Sequence, residues 1–227
     1  IITMTKKTKQ ELKSIIGVNK KKIFVIENPV LSQNIRKQSK DNINYEEKFL
    51  FKKKVFCAIG RLTYQKNFLE LLEYIHEINN LIKIDFNLII IGDGEQKKEL
   101  TDFIKKNNLI NCFLLGFKNN PYKYLARSDL YISTSRWEEP GHTLLEAGYL
   151  NVPILSSNCP NGPDEIIHNK FNGLKYELGN KLDFMSQFNE FINLDDDKKY
   201  SLKLNMKKSI INYSQYRFSK NFFKILK

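Results

Sequence analysis

Three short apolar runs, Lys54–Gly60 (KVFCAIG), Phe86–Gly92 (FNLIIIG) and Cys112–Gly116, each stop at a glycine and are each followed by a helix-like stretch. A continuous apolar run has no polar side to give to water, so each such strand must be covered on both faces. Repeated along the chain, that demand confines the fold to a parallel sheet with helices on either side. The spacing of Phe68, Leu71, Leu72 and Ile75 predicts a helix over Asn67–Asn79, and a charged helix runs from Glu95 to about Lys106. A short helix near Tyr122–Ala126, the strand Leu130–Ser133, a helix from Gly141, the strand Val152–Ser156 and a short helix around Pro163–Ile167 continue the alternation. The reading is a doubly wound α/β domain. Ligands of such sheets bind outside the carboxyl ends of the strands, so the loops after these runs are where chemistry belongs.

The flanks differ. Thr5–Ile16 reads as an amphipathic helix stopped by Gly17, Lys22–Ile26 as strand-like, and Asn28-Pro29 as a turn. Gln33–Glu47 is polar, charged and aperiodic, so it reads as a loop or linker. Beyond Asn180 the chain is helical: Lys181–Asn193, a segment opened by Asp195–Asp197, and Phe218–Leu226. The expected division is an N-terminal segment and linker over 1–48, the α/β domain over 49–180, and C-terminal helices over 181–227.

The formal charge is +12, with lysine far ahead of arginine. A solvated lysine- and asparagine-rich surface explains it first. Attraction to an anionic membrane face or to phosphorylated ligands comes second. Nucleic acid is not expected, because the basic residues are scattered rather than gathered on one element with interleaved aromatics. Three widely spaced cysteines, Cys57, Cys112 and Cys159, form no metal-ligand pattern, and the first two fall in apolar runs as small buried hydrophobes. No apolar run is long enough to span a bilayer and no signal peptide heads the chain; the cysteine usage is what points to a reducing, cytoplasmic setting. A start at Ile1 rather than Met reads as a piece of something longer.

The stretch Glu138-Glu139-Pro140-Gly141-His142-Thr143-Leu144-Leu145-Glu146-Ala147 carries the chemistry. Gly141 permits a tight turn, and the amides from Gly141 to Leu144 fall at the first turn of a helix. Such amides have no intrahelical partner and sit at the positive end of the dipole, so they suit a phosphate. Glu138 lies in the loop before that helix and Glu146 just inside it. A phosphate site between two hydroxyl-binding carboxylates is what a sugar nucleotide needs. Upstream, Gly60-Arg61-Leu62-Thr63-Tyr64-Gln65-Lys66-Asn67 offers a planar fork at Arg61 and a compact charge at Lys66. Alone it would be an ordinary loop with two exposed cations; coupled to the glutamates it reads as a phosphate clamp. Gly92-Asp93-Gly94 lacks the full dinucleotide fingerprint and reads as a tight turn that lets a ligand or neighbouring loop come close. Phe117 is expected to anchor its loop. Ser157–Glu165 is a stiff, turn-rich stretch suited to the rim of a site, or only a connection. His142 adjoins the phosphate turn, but no acid/base partner for it is legible.

The order GRLxxxKN, strand, GDG, strand ending in GF, EEPGHTLLEA, then NGPDEII and FNGL resembles the donor-binding half of family 4 glycosyltransferases. The resemblance is strong over about Val55–Leu178, and Thr3–Val30 resembles the segment leading from the first domain into the second. It implies the GT-B fold, two Rossmann-like domains facing across a cleft, of which this chain would be the C-terminal half. It further implies a retaining, metal-independent hexosyl transfer from a UDP- or GDP-linked sugar, with no cofactor beyond the donor. By the same resemblance Arg61 and Lys66 would hold the donor diphosphate and stabilise the leaving nucleotide, replacing a metal. Glu138 would bond hydroxyls of the donor sugar, Glu146 the ribose, and amides around Gly141–Thr143 the phosphates. Phe117 and Lys118 would lie along the base. Two positions depart from the usual pattern, Glu139 where glycine is common and Pro140 where an aromatic is. The acceptor, a glycan or lipid-linked saccharide, would bind through a missing N-terminal domain, with peripheral contact to an anionic cytoplasmic membrane face. The C-terminal helix would cross back onto that domain and leave Phe218, Phe222 and Phe223 without their usual cover. The alternative is a non-catalytic nucleotide-sugar-binding fragment or a truncated, inactive product.

Overall fold

The computed structural model describes residues 1–15 and 20–225, so Gly17 and Leu226 lie outside the described residues. A short parallel pair, β1 (Ile2–Thr3) and β2 (Phe24–Val25), flanks α1 (Lys6–Ile15). Helix α2 (Gln33–Ser39) and a 3-10 segment, Tyr45–Lys52, lead into the main sheet. Its elements follow in strict alternation: β3 (Lys54–Ile59), α3 (Phe68–Leu81), β4 (Phe86–Ile91), α4 (Lys97–Lys106), β5 (Cys112–Gly116), α5 (Tyr122–Leu125), β6 (Leu130–Ser133), α6 (His142–Tyr149), β7 (Ile154–Ser157), α7 (Pro163–Ile166) and β8 (Leu174–Tyr176). Helices α8 (Lys181–Asn193), α9 (Asp196–Ser209) and α10 (Gln215–Ile225) close the chain. The six strands are all parallel, in the order β5-β4-β3-β6-β7-β8. That order is the doubly wound, Rossmann-like arrangement expected from the runs.

The period of two along β3 divides the sheet's faces. Phe56 and Ala58 pack with Leu71 and Leu72 of α3 and with Phe184 and Phe188 of α8, while Val55 and Cys57 pack with Leu144 and Leu145 of α6. Cys57 is fully buried and desolvation pushes its thiol up to about 12, so it serves as an apolar filler. Helices α3 and α6 therefore leave the sheet on opposite faces. Between their strands, β3 and β6, the winding reverses and a crevice opens at the carboxyl ends.

The stretch expected as a loop over Gln33–Glu47 is partly helical. Its only deeply buried apolar side chain in α2 is Ile35, too weak a stripe to be read as a helix. Tertiary bonds hold it instead: Asn120 Nδ2 donates to the Gln38 carbonyl (2.9 Å) and Arg127 Nη1 to that of Ser39 (3.1 Å). Glu47 accepts from Lys118 Nζ and Tyr124 Oη at 2.6 Å each. Burial raises the Glu47 pKa, but these two bonds outweigh it and the carboxyl titrates below its ordinary range.

The loops after β3 and β4 touch backbone to backbone. Leu62 N donates to the Asp93 carbonyl and Gly60 N to that of Ile91, both at 3.0 Å. Gly92 has φ +151°, and a Cβ there would lie 1.8 Å from Gly60 O. The glycine turn thus exists to let the neighbouring loop come close, as read from the sequence.

Two tests follow from this packing. Gly92→Ala is expected to destabilise by on the order of 3 kcal/mol, combining a strained φ with overpacking, measured by urea unfolding. Glu47→Ala should cost roughly 1.5–3 kcal/mol at neutral pH. A depressed carboxyl gives stability above its unfolded pKa and loses it as pH falls through the folded one. The gap between variant and parent should therefore shrink in acid, and a gap that stays constant with pH would remove the charge-assisted assignment.

Candidate functional site

Loops 60–67 and 134–141 leave adjacent strands for opposite faces, and a single ion pair joins them. Lys66 Nζ contacts Glu138 Oε1 at 2.5 Å, with only 17% and 9% of the two side chains exposed. The surroundings aim both groups. Ser135 Oγ donates to the same Glu138 oxygen (2.6 Å) and Ser157 Oγ to the Ser135 carbonyl (2.6 Å). Thr134 Oγ1 donates to the carbonyls of Lys66 (2.9 Å) and Asn67 (3.1 Å). A Cβ on Gly60 would meet the Lys66 stem at 3.0 Å, so the glycine clears the path of that side chain. On the far side, a Cβ on Gly162 would lie 3.0 Å from the Glu138 Cβ and 2.7 Å from Pro140 O. The Ser157–Glu165 stretch therefore forms a wall of this crevice rather than a remote connection.

Helix α6 opens at Gly141, which takes φ +81° and ψ +58°. Among the described residues the amides of Gly141, His142 and Thr143 have no backbone acceptor. Leu144 departs from expectation: its amide donates to Gly141 O (3.0 Å) and its side chain is 1% exposed, within the core. The tight first turn consumes that amide, so the open set ends at Thr143. The Tyr131 hydroxyl lies buried beneath, near the Thr143 side chain.

Glu146 sits one turn into α6 and accepts from Tyr122 Oη (3.0 Å). Burial raises its carboxyl above the ordinary range, with the tyrosine bond only partly opposing. Desolvation lowers the His142 pKa, Glu138 opposing this and Lys66 adding to it. Asn28 Nδ2 donates to His142 Nε2 (3.1 Å), which fixes a neutral ring protonated on Nδ1.

Arg61 and Phe117 line one cleft of about 270 Å³ with Ile59, Gly92, Asp93 and Lys118. Phe117 is 71% exposed, so it rims this cleft instead of anchoring its loop in the core. Lys118 is present, but its ammonium is held by Glu47. Arg61 has no side-chain partner among the described residues. The structure thus gathers Lys66, Glu138, Gly141, His142, Thr143 and Glu146 around the crevice, with Arg61, Phe117 and Lys118 at its β4–β5 end. Sequence reasoning missed Ser135, Tyr122, Asn28 and Arg136. Ser135 and Arg136, three and two residues before Glu138, had a local signal; Tyr122 and Asn28 come from distant elements.

Residues 39–215 match the family model described as glycosyl transferases group 1, and the chain belongs to that family. It is 33% identical over 186 residues to an uncharacterized glycosyltransferase of Methanocaldococcus jannaschii, covering 81% of this chain and 44% of that protein. It is 36% identical over 167 residues to the Escherichia coli UDP-Gal:alpha-D-GlcNAc-diphosphoundecaprenol alpha-1,3-galactosyltransferase, covering 70% and 41%. The chain therefore spans less than half the length of these relatives. In fold it matches the crystal structure of Anabaena HepE in complex with UDP, with TM-score 0.84 and 19% identity over 99% of this chain and 62% of that one.

Removing one member of a buried pair strands the other. Lys66→Met should destabilise by roughly 3 kcal/mol, the low end for such pairs because the crevice opens to water. Adding Glu138→Gln should restore part of the loss, and a strictly additive double mutant would show that the pair is not coupled.

Proposed function

We propose that this chain is the donor-binding half of a retaining, metal-independent hexosyltransferase that uses a UDP-linked sugar. The observation that carries the reading is the crevice itself. A lysine–glutamate pair, three open helix-end amides and a second glutamate, its carboxyl pushed up by burial, gather at the point where the sheet's winding reverses.

In this reading the diphosphate lies on the amides of Gly141, His142 and Thr143, where the α6 dipole and N–H groups favour negative charge. Arg61 and Lys66 supply fixed positive charge as the bond to the anomeric carbon breaks and charge builds on the leaving diphosphate. Glu138, oriented by Ser135 and Lys66, accepts from hydroxyls of the donor hexose. Glu146 accepts from the ribose hydroxyls, displacing or sharing the Tyr122 bond. Neutral His142 adds a donor at Nδ1 for a phosphate or sugar oxygen. Phe117 covers the base at the cleft that Arg61 also lines. The acceptor hydroxyl then attacks the face from which the diphosphate departs, which retains configuration. UDP is preferred over GDP because a structural relative was solved with UDP and a sequence relative is named for UDP-Gal. That same relative's lipid-linked substrate supports a diphospholipid-linked acceptor here, met at an anionic cytoplasmic membrane face with help from the basic surface. Most of the acceptor site would lie in the part of the protein that the relatives have beyond the span matched here.

Calorimetric titration with UDP, GDP and their sugar conjugates, without added metal, tests this. Saturable UDP binding is expected, weakened about tenfold to a hundredfold in Arg61→Ala or Glu146→Ala, the cost of one charge-assisted bond. Both variants should remain folded. Absence of nucleotide binding in the folded chain, or variants that bind as the parent does, would overturn the assignment.

The raised Glu146 carboxyl adds a pH signature. Ribose hydroxyls donate to the ionised form, so nucleotide affinity should fall as pH drops through its elevated titration. Glu146→Gln should flatten that acid limb; an unchanged limb would place the titrating group elsewhere.

A further inference from the structure

Two exposed rings border the crevice and have no role in donor binding. Trp137, the sole tryptophan of the chain, is 46% exposed and Tyr64 is 60% exposed. Their centroids lie 6.2 Å apart with planes tilted by 53°. The backbone beneath them is firmly tied. Arg136 N donates to the Gln65 carbonyl (2.8 Å) and Gln65 Nε2 to the Trp137 carbonyl (2.9 Å). The Arg136 guanidinium stacks on Tyr64 at 4.3 Å and donates through Nη2 to Asn67 Oδ1 (3.0 Å). The rings are therefore pre-set, with Arg136 over one face of Tyr64 and about half of each side chain open to solvent, which lowers the ordering cost of binding something against them.

Position narrows what that something is. Asn67 caps α3 on one face of the sheet, and Gly141 opens α6 on the other. The 134–141 loop crosses between, with Arg136 at the α3 end and the open amides at the α6 end. Glu138 and its lysine stand between them. A donor lying on α6 leaves the aromatic side of the pair free, where a second sugar would approach. Chemistry narrows it further. Tilted aromatic faces with Gln65 and Arg136 beside them match a pyranose, which has an apolar C–H face and a rim of hydroxyls. An anion fits poorly, because the guanidinium is already stacked and hydrogen-bonded. A lipid chain would need a wider apolar patch than two rings provide.

We propose that Tyr64 and Trp137 form a sugar-binding shelf on which the saccharide of the acceptor stacks beside Glu138. The assignment to acceptor rather than donor rests on the donor reading above; the binding of a sugar ring does not. The shelf would make these two residues determinants of acceptor specificity, contributed by the donor half of the protein.

Because Trp137 is the only tryptophan, its emission reports on the shelf directly. The full chain is titrated with the methyl glycosides of glucose, galactose, N-acetylglucosamine and N-acetylgalactosamine, with and without saturating UDP. At least one glycoside should give a saturable shift in the millimolar range that survives UDP. Tyr64→Ala should weaken it about tenfold, as loss of one stacking ring implies, and Tyr64→Phe should restore it. The proposal is overturned if no glycoside moves the emission, if UDP displaces the glycoside, or if the alanine variant binds as the parent does. UDP affinity, measured by calorimetry on the same samples, reports the donor reading separately: its failure alongside retained glycoside binding would remove the acceptor assignment and leave the sugar shelf.

Discussion

The contact between Lys66 and Glu138 sets a charged pair at the carboxyl ends of the two central strands. The two loops that carry it diverge to opposite faces of the sheet and are held together by this pair and by the hydrogen bonds of Thr134, Gln65 and Arg136. Desolvating an ammonium and a carboxylate is costly, and their attraction recovers that cost only with good geometry and further hydrogen bonds. Ser135 and Ser157 supply the bonds, Gly60 the clearance, and Thr134 the link between the two backbones. Apolar residues would fill such a crevice more cheaply. That a charged pair is held there, at the winding reversal of a group 1 glycosyltransferase chain, argues for a ligand that exchanges contacts with both charges.

The electrostatics around the pair are more restrained than the overall charge suggests. The chain carries +12, yet at the crevice Lys66 is answered by Glu138 and Lys118 by Glu47. Burial pushes Glu146 toward its neutral acid and desolvation pushes His142 toward its neutral base. In the donor reading, the attraction of the α6 mouth for an anion rests on backbone amides and the helix dipole, together with the Arg61 and Lys66 charges. Amides placed by a folded turn need no reorganisation when charge develops, which is the property wanted where a leaving group gathers negative charge. The remaining lysines belong to the solvated surface or to the membrane-facing role proposed above.

Strands and helices of the sheet were legible because both periods are strong there: β4 is buried at every position and α8 was read to its ends. The placement of the two glutamates, Arg61 and Lys66 about the strand ends was legible because they sit in two strand-to-helix loops and the first turns of α6. What escaped lies in contacts between distant segments. Helix α2 has almost no apolar stripe and exists because Asn120 and Arg127 grip its carbonyls. Tyr122 and Asn28 reach the site from α5 and from the strand pair's exit, with no pattern to announce them. The occupied Leu144 amide was misread for a different reason. An i to i+3 bond in a first turn depends on the exact ψ of Gly141, which no residue type dictates.

The N-terminal segment bears on the site more directly than a linker would. Thr8 Oγ1 donates to Glu139 Oε1 (2.8 Å), and Asn28 reaches His142. The first-turn amides of α1, at Lys6 and Lys7, donate to the Glu165 carboxylate at 3.2 and 3.1 Å. Glu165 belongs to α7, beyond the wall formed by Gly162. Three separate contacts therefore tie residues 6–28 to the 134–141 loop, the start of α6 and α7. Glu139, where the family pattern favours a glycine, gives this segment a carboxylate to hold. A displacement of the segment would be felt at Glu139 and His142 before it reached Glu138, because those two side chains carry the bonds while Glu138 is braced by its own serine. The geometry thus separates a loop edge bonded to the N-terminal segment, at Glu139 and His142, from a charged centre bonded within the crevice itself.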